Sequence, residues 1–405
     1  SALKMHSFAA GTGAVPIGLS DWWLQQACSL GRSEDLAAVV GECYGWLGRG
    51  MAAGLARRSG LFTEFDGNVG FVADNHNPAS QVGPVLSASR LQMFGKCPLH
   101  YFFENVLRVR RPDEHLPDPE TWLDAATLGR LMHNLFCHFM DGLRERGEKA
   151  SVANHWSELE DALMKAVEEQ RELLPPPSDH LYLEMVREYK EMARTFLHEM
   201  ETRADEWEPL YFEGAIGMRS KARPSVFDCE MPMRVELVDD LHVALRGQID
   251  RIDKKVGAAP SEYEIWDYKT GGDWVYRQAD KDCYWQGRLV QHVLYLMMAK
   301  QNLAMIDPGA SVPRFGFYLP SSKAKKAHHL YGEDIVEKGC DVLAKLVSMI
   351  GDGAFPATDE TNDCKFCDHH LSCAPLWNVA EQTAFKMAEG AAGLEVFCRL
   401  RPGKK

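Results

Sequence analysis

The chain has 405 residues, 45% of them hydrophobic and 25% charged, so it is long enough for one large domain with an extension and too apolar for a disordered protein. A net charge of −13 argues against strong sequence-independent binding to nucleic acid, because that affinity comes from Lys and Arg contacts to phosphates. Eleven cysteines, no secretory signal and no apolar run of about 18 residues predict a cytoplasmic protein without a membrane span.

In chain order, residues 1–80 are expected to form a mainly helical N-terminal extension without a chemical motif. Helices that flank a run of neighbouring strands then predict an α/β core with a mixed central sheet. The predicted elements are a helix from Ser87 or Ser89 to Cys97, a loop over 108–121, helices over 123–146, 154–174 and 179–206, strands over 209–216, 226–238, 241–254 and 262–270, a helix containing Gln291, a strand near 313–319 and a helix near 333–350.

The helix over 123–146 contains Gly129-Arg-Leu-Met-His133, and its apolar positions repeat with the helical period. His133 lies at the margin of this apolar stripe. A histidine in that position is in most proteins a hydrogen-bonded part of the core, so only its place upstream of the acidic residues favours a role in a site.

Two predicted strands end in acids, in Gly247-Gln-Ile-Asp250 and in Trp266-Asp267-Tyr-Lys269. Asp250 is expected on the polar face of its strand, and Asp267 and Lys269 lie on one side of theirs because side chains alternate. Two carboxylates can hold Mg²⁺, and a neighbouring ammonium can orient a water or offset charge at phosphorus. By itself, the Asp-x-Lys pattern is equally compatible with a surface ion pair.

Gln291 and Tyr295 complete the candidate set, since they are four residues apart and therefore neighbours on one helical face. The order of all six residues resembles the signature of the RecB-like branch of the PD-(D/E)XK nucleases: His133, Asp250, Asp267, Lys269, Gln291 and Tyr295. This resemblance covers about residues 85–380 and implies a restriction-endonuclease-like nuclease domain over 81–380, followed by a tail over 381–405.

The resemblance also implies roles for these residues. Asp250 and Asp267 would bind Mg²⁺ or Mn²⁺, and His133 would complete the coordination or contact the phosphate. The backbone carbonyl of Tyr268 would be a further ligand, and Lys269 would position the attacking water. Gln291 and Tyr295 would order the site or the DNA strand.

Four cysteines give a second indication. Cys364-Lys-Phe-Cys367 and Cys373 form a C-x2-C-x5-C pattern, and Cys97 precedes Pro98 far upstream. This arrangement resembles the iron–sulfur type of the same family, including AddB-type helicase–nuclease subunits, and implies a [4Fe-4S] cluster held by these four thiolates. The local spacing alone fits a zinc knuckle with His369 or His370 equally well.

The resemblance implies an exonuclease for single-stranded DNA ends that acts in recombinational repair with a helicase partner. Gly60 to Gly67 and Leu86-Ser-Ala-Ser89 resemble the approach to the nuclease domain in AddB-type subunits, so the chain is expected to be part of a longer polypeptide whose residues 1–80 end a helicase-like region. One alternative is a nuclease-fold module that binds DNA or a partner without cutting. Another is a nuclease of the CRISPR-adaptation type, which residues 1–80 disfavour.

Two further features of the sequence could contact DNA. The basic run from Lys323 to His329 is more typical of a solvated face than of a DNA-binding segment. Four aromatic residues after Lys269 could stack on single-stranded bases, although most of them are expected to pack locally. They are Trp274, Tyr276, Tyr284 and Trp285.

Overall fold

The structure is a computed structural model that describes residues 15–29, 41–42, 44–70, 72–109, 120–220, 223–365, 367–373 and 379–402. The described helices are α1 (Leu19–Ser29), α2 (Gly45–Arg58), α3 (Ala88–Lys96), α4 (Pro98–Tyr101), α5 (Ala125–Arg146), α6 (Val152–Leu173), α7 (Asp179–Arg203), α8 (Trp274–Ala279), α9 (Gln291–Ile306), α10 (Val336–Gly351), α11 (Thr361–Cys364), α12 (His370–Cys373), α13 (Val379–Ala388) and α14 (Glu395–Leu400). None of these described helices is both long enough and apolar enough to cross a lipid bilayer.

The described strands form one large and one small sheet. They are β1 (Trp207–Ile216), β2 (Met233–Glu236), β3 (His242–Leu245), β4 (Gly247–Lys255), β5 (Glu262–Tyr268), β6 (Ser311–Tyr318) and β7 (His328–Gly332). The large sheet has the order β1-β4-β5-β6-β7, in which only β5 and β6 are parallel, and β2 pairs with β3 in the small sheet. The predicted α/β fold with a mixed central sheet and flanking helices is therefore confirmed.

Local sequence signals explain where several helices begin and end. The Ser87 hydroxyl accepts a hydrogen bond from the Arg90 N–H at the start of α3, and Pro98 is the first residue of the next helix. The Asp124 carboxylate accepts the Thr127 N–H at 2.7 Å to cap α5, and Gly147 ends α5 in the left-handed conformation.

The large sheet lies between two apolar clusters. On one side, α5, α6 and α7 pack together, and the rings of Phe136 and Phe196 stack with centroids 3.8 Å apart. On the other side, α3, α9 and α10 pack against the sheet. Neighbouring residues of β5 belong to opposite clusters, Ile265 to that of α9 and Trp266 to that of α5, as the alternation of a strand buried on both faces requires.

The prediction of one strand over 241–254 is wrong, because Arg246 separates β3 from β4. The Arg246 N–H donates to the Leu86 carbonyl, and the Leu86 N–H donates to the Ala244 carbonyl. The backbone between β3 and β4 therefore pairs with the segment around Leu86 and not with a neighbouring strand of the large sheet. The predicted strand over 226–238 is also shorter, since the Asp228 carboxylate accepts two backbone N–H groups in a turn. Strand β7 was not predicted because its residues read as a basic run.

The C-terminal part of the described chain packs against the segment that follows α2. The Lys386 ammonium is 3% exposed and donates to the carbonyls of Ala56 and Ser59 at 2.9 and 3.1 Å and to the Asp66 carboxylate at 3.1 Å. Farther along, Arg401 is 1% exposed. The predicted tail thus contains the packed helix α14 and part of α13, and α13 holds the end of α2 in place.

Candidate functional site

The acids of β4 and β5 lie next to each other on two paired inner strands of the large sheet. Asp250 is 7% and Asp267 2% exposed, so both carboxylates are buried, and a solvated strand face with a surface ion pair is the wrong description of this region. The Asp250 Oδ2 atom accepts the Tyr268 N–H at 2.6 Å, which ties β4 to the end of β5. A hydrogen bond from the backbone supplies part of the stabilisation that a buried carboxylate loses when it leaves water.

His133 on α5 faces both the acids and the backbone of β5. Its Nε2 atom lies 3.0 Å from the Tyr268 carbonyl oxygen, and its Nδ1 atom lies 3.3 Å from Asp250 Oδ2. Burial lowers the pKa of His133, but the carboxylates of Asp250, Asp267 and Glu213 raise it to about 9. The ring therefore carries a positive charge near neutral pH and donates from both nitrogens to oxygen atoms.

Lys269 follows directly after β5, and its ammonium forms an ion pair with Asp267. Burial lowers the pKa of Lys269, but the negative charge of Asp267 outweighs this effect and raises it. Burial and the charge of Asp250 raise the pKa of Asp267 to about 6, although Lys269 opposes the shift. The two carboxylates thus repel each other in a buried setting, which an added cation would relieve.

Gln291, the first residue of α9, donates from Nε2 to Asp267 Oδ1 at 2.6 Å. Tyr295 lies one turn later, is 7% exposed, and hydrogen-bonds the Gln291 side chain. A Cβ atom on Gly247 would lie 3.0 Å from the Tyr295 ring and 2.8 Å from the Met298 methyl group, so β4 packs closely against α9 at this glycine. Tyr295 accordingly supports Gln291 from behind the site.

Glu213 on β1 is a member of the site that the sequence analysis missed. Its carboxylate lies 3.8 Å from His133 Nδ1, and its φ angle of 49° is unusual for a residue with a side chain. Its neighbours Phe212 and Gly214 pair with Arg251 and Ile249, which places Glu213 opposite Asp250. No motif marks this glutamate in the sequence, and only the strand pairing brings it to the site.

The donor set fits a hard divalent cation. His133, Glu213 and Asp250 each offer a ligand atom, and these three atoms lie within 4.8 Å of one another. The Tyr268 carbonyl adds an oxygen atom 3.0 Å from His133, and the Asp267 carboxylate lies on the strand next to β4, paired with Lys269. Carboxylate and carbonyl oxygens are the ligands that Mg²⁺ and Mn²⁺ prefer.

The four predicted cysteines come together at a second location. Cys97 follows α3, Cys364 and Cys373 end α11 and α12, and Cys367 lies between these two short helices. Burial raises the pKa of Cys97 to about 12, with smaller contributions from the nearby Cys373 and Cys367 thiols. Burial also raises the pKa of Cys373 to about 11, again with contributions from its cysteine neighbours.

Backbone N–H groups already point at these sulfur atoms. Those of His100 and Thr358 donate to Cys97, and that of His369 donates to Cys367. Such donors stabilise thiolates, which are the ligands of iron–sulfur clusters and of zinc. The His369 ring faces Glu104, with Nε2 3.4 Å from the carboxylate, and the side chain of His370 lies outside the described part of the chain.

The basic run and the four aromatic residues differ in exposure. Lys323 and His328 of the basic run lie 3.3 and 3.2 Å from Glu188 and Glu199 of α7, so acidic side chains face this segment. Of the four aromatic residues, Tyr276 and Tyr284 are buried. Trp274 is 51% exposed and packs edge-on against Trp285, with ring centroids 5.3 Å apart.

Residues 85–374 match the family model of the PD-(D/E)XK nuclease superfamily, and the chain therefore belongs to this superfamily. The chain is similar to an ATP-dependent helicase/deoxyribonuclease subunit of Symbiobacterium thermophilum, with 27% identity over 242 residues, which are 58% of this chain and 19% of the relative. Proteins of the same name from Carboxydothermus hydrogenoformans and Moorella thermoacetica are 26% and 27% identical over 62% and 67% of this chain.

These relatives confirm the resemblance to AddB-type subunits at modest identity. The matched region makes up 22% of both the Carboxydothermus and the Moorella protein, so the chain spans about a fifth of the length of the relatives it matches. The chain is thus a PD-(D/E)XK nuclease-type protein related to helicase/deoxyribonuclease subunits.

Proposed function

We propose that the chain is a Mg²⁺- or Mn²⁺-dependent exonuclease that hydrolyses phosphodiester bonds at single-stranded DNA ends. The observation that carries this proposal is that four side chains from different elements meet at one place. Asp250 comes from β4, Asp267 and Lys269 come from the end of β5, and His133 comes from α5. Such a group of buried carboxylates beside an ammonium is suited to phosphodiester hydrolysis.

Asp250, Asp267 and the Tyr268 carbonyl would hold the divalent ion, with His133 either as a further ligand or as a contact to the phosphate. The bound ion would activate water and neutralise charge on the phosphate oxygens. Lys269 holds a positive charge beside Asp267, where it orients the attacking water and offsets negative charge in the transition state.

Gln291 restricts the rotation of the Asp267 carboxylate through the hydrogen bond to Oδ1. The other oxygen, Oδ2, faces Lys269. Tyr295 acts through Gln291, because its ring is buried and its hydroxyl contacts that amide rather than solvent. Both residues therefore order the site, and neither needs to touch DNA for this role.

We also propose that Cys97, Cys364, Cys367 and Cys373 bind a [4Fe-4S] cluster. In a tetrahedral zinc site, thiolates at Zn–S distances of ~2.3 Å lie ~4 Å apart. Among the described residues, no three of the four sulfur atoms fall within 4.8 Å of one another, which favours a centre larger than one ion. The zinc knuckle remains the alternative, and iron and sulfide analysis of the purified protein separates the two.

A helicase region or subunit is the proposed partner, acting with this chain in DNA repair in the cytoplasm. The net charge of −13 and the acid pairing of the basic run support weak DNA binding by this chain alone. A partner that delivers the strand would remove the need for strong binding. The same charge favours the second candidate, a nuclease-fold module that binds without cutting.

Digestion of a single-stranded oligonucleotide labelled at its 5′ or 3′ end tests the proposal directly. We expect Mg²⁺-dependent release of short products, and a loss of about a thousandfold in rate in Asp267→Ala and in Lys269→Ala. Asp205→Ala and Lys149→Ala are matched controls, because that pair has the same chemistry at 2.7 Å on the surface.

Full activity in both Asp267→Ala and Lys269→Ala would remove the catalytic assignment. No cleavage by the wild-type protein, with Mn²⁺ bound and the helicase partner present, would favour the non-cutting module. Comparing the two end labels also gives the polarity of cleavage.

A further inference from the structure

Helix α3 connects the two sites described above. Its last residue, Lys96, precedes Cys97, and Gln92 lies one turn before that end. The face of α3 that carries Leu91 and Phe94 is buried in the same apolar cluster as α9. The helix is therefore a short, packed link between the cysteine site and the first turn of α9.

Gln92 supplies the cap that α9 lacks in its own sequence. The Gln92 Oε1 atom accepts the N–H groups of Val290 and Gln291 at 3.2 and 3.1 Å. Val290 at the N-cap position makes no side-chain cap of its own. Because the first N–H groups of a helix have no partner within it, an acceptor brought from α3 fixes where and how α9 begins.

The start of α9 is also the position of Gln291, which donates to the proposed metal ligand Asp267 at 2.6 Å. One glutamine thus holds the backbone of a second glutamine, whose side chain in turn holds the carboxylate. A small shift of the first turn of α9 would move this amide away from Asp267, because backbone and side chain move together.

Close backbone packing keeps α3 in place beside α9. A Cβ atom on Gly95 would lie 1.8 Å from the Gly287 carbonyl oxygen, so the helix touches the turn that leads into α9. Arg401 donates to the carbonyls of Gly95 and Gln286, and Asp359 accepts from Arg401 at 3.0 Å. These buried contacts hold α3 against the turn.

The C-terminal end of α3 is also tied to the remaining cysteines. The Cys97 sulfur accepts the N–H of Thr358, whose hydroxyl donates to Asp363 at 2.5 Å, and Asp363 precedes Cys364. Arg288 in the turn before α9 donates to Asp363 at 3.1 Å as well. The segment that carries Cys364 is therefore in contact with both α3 and the start of α9.

We propose that Gln92 is a positioning residue that holds Gln291 against Asp267 and makes divalent-ion binding depend on the occupancy of the Cys97 site. This inference rests on the proposed function for the roles of Asp267 and of the cysteines. Loss of the cluster releases the Cys97 end of α3, and Gln92 transmits the movement to the first turn of α9.

Mn²⁺ binding to cluster-loaded protein, measured by calorimetry, tests the positioning role without DNA. In Gln92→Met, which keeps the length of the side chain but removes the acceptor, we expect about tenfold weaker Mn²⁺ binding. Gln92→Glu keeps an acceptor oxygen and should bind Mn²⁺ as tightly as the wild type. Gln301→Met is the matched control, since Gln301 lies exposed on α9 and its amide donates to the Arg234 carbonyl at 3.3 Å.

Wild-type affinity in Gln92→Met would overturn the positioning role. Equal losses in Gln92→Met and Gln92→Glu would overturn it too, because packing rather than the acceptor would then matter. Because the binding measurement involves no cleavage, it separates this inference from the proposed function. A protein that binds Mn²⁺ as expected and does not cut DNA contradicts only the nuclease proposal.

Removal of iron by a chelator tests the coupling. In the wild type, we expect cluster removal to weaken Mn²⁺ binding about tenfold, whereas in Gln92→Met it should cause less than about a twofold further loss, since the link is already broken. The same fold-loss in both proteins would overturn the coupling. If Gln92→Met does not fold, Gln92→Ala, which also removes the acceptor, takes its place in the same comparison with the wild type.

Discussion

The acidic site is assembled from neighbouring strands of one sheet, whereas the cysteine site joins residues from opposite ends of the core. Asp250 and Asp267 are 17 residues apart and meet through the pairing of β4 with β5. Cys97 and Cys364 are 267 residues apart. Sheet pairing holds the acids whether or not an ion binds, while a centre on the cysteines would itself add a constraint on the chain. The first region is therefore expected to govern catalysis and the second stability.

Replacing one of the four cysteines is expected to have the largest effect, a loss of stability. Cys97→Ala or Cys373→Ala should lose iron and lower the free energy of unfolding by up to about 5 kcal/mol, because a cross-link over so long a loop restricts the unfolded chain by about that amount. This is large against the roughly 5–15 kcal/mol of a typical domain. Iron content and a thermal melt measure the two outcomes.

Cys229→Ala is the control, since Cys229 forms a β-bridge with Ile216 of β1 and its thiol contacts the Met231 carbonyl. It should keep both iron and melting temperature. An unchanged melt in Cys97→Ala after the iron is lost would contradict the stabilising role of the cluster.

Asp267→Asn should show the opposite behaviour. We expect nuclease activity to fall by about a hundredfold or more, while the free energy of unfolding of the metal-free protein changes by less than about 1 kcal/mol. Burial and Asp250 raise the pKa of Asp267 to about 6, so its charge opposes folding at neutral pH, and removing it offsets the loss of the Lys269 ion pair.

Chemical denaturation and the digestion assay, run on the same preparation, check this prediction. Asp205→Asn, in which the partner Lys149 is exposed, is the surface control. If Asp267→Asn destabilised the protein as much as Cys97→Ala, the division into a catalytic and a stabilising region would be wrong.

A smaller effect separates the two possible roles of His133. Its pKa is raised to about 9, so the ring is protonated in the metal-free protein at neutral pH. If His133 is a ligand, Mg²⁺ binding must release about one proton, and affinity should increase as the pH rises towards 9. Calorimetry in two buffers with different ionisation enthalpies measures the release, and His133→Ala should abolish it.

Mg²⁺ binding without proton release would mean that His133 keeps its charge and contacts the phosphate. A pH series on the metal-free protein gives an independent reading. Because the folded pKa lies above the ordinary value of 6.5, protonated His133 stabilises the fold below pH 6.5, and this contribution is lost as the pH rises through 9. The stability of His133→Ala should lack that dependence.

Much of the fold could be predicted because strand alternation and helix periodicity are local properties. The positions of Asp267 and Lys269 could be predicted because a strand pattern ends at these charged residues. The position of Gln291 could be predicted because a helical pattern contains it. The break at Arg246 could not be predicted, since Val243, Leu245 and Ile249 on one face and Arg246, Gln248 and Asp250 on the other continue the strand pattern across it. Only the pairing with the Leu86 segment ends one strand and starts the next.

Contacts between segments that are distant in the sequence also could not be predicted. Glu213 reaches His133 through the register of β1 on β4 and an uncommon φ angle, and no local pattern announces either. In the sequence, Gln92 is an ordinary polar residue on a predicted helix. Its role is visible only in the structure, where its side chain accepts the Val290 N–H at 3.2 Å. Residues that serve a site through another residue carry no chemical signature of their own.

Tyr268 has one more consequence, for how this site should be dissected. Its N–H donates to Asp250 and its carbonyl faces His133, while its ring packs in the helical layer of α5 and its phenol oxygen accepts a hydrogen bond from Arg251 at 2.8 Å. Replacing the side chain would disturb the helical layer and leave both main-chain atoms where they are. Alanine scanning is therefore blind to this position's share in the chemistry, and only an amide-to-ester exchange introduced by chemical ligation would expose it.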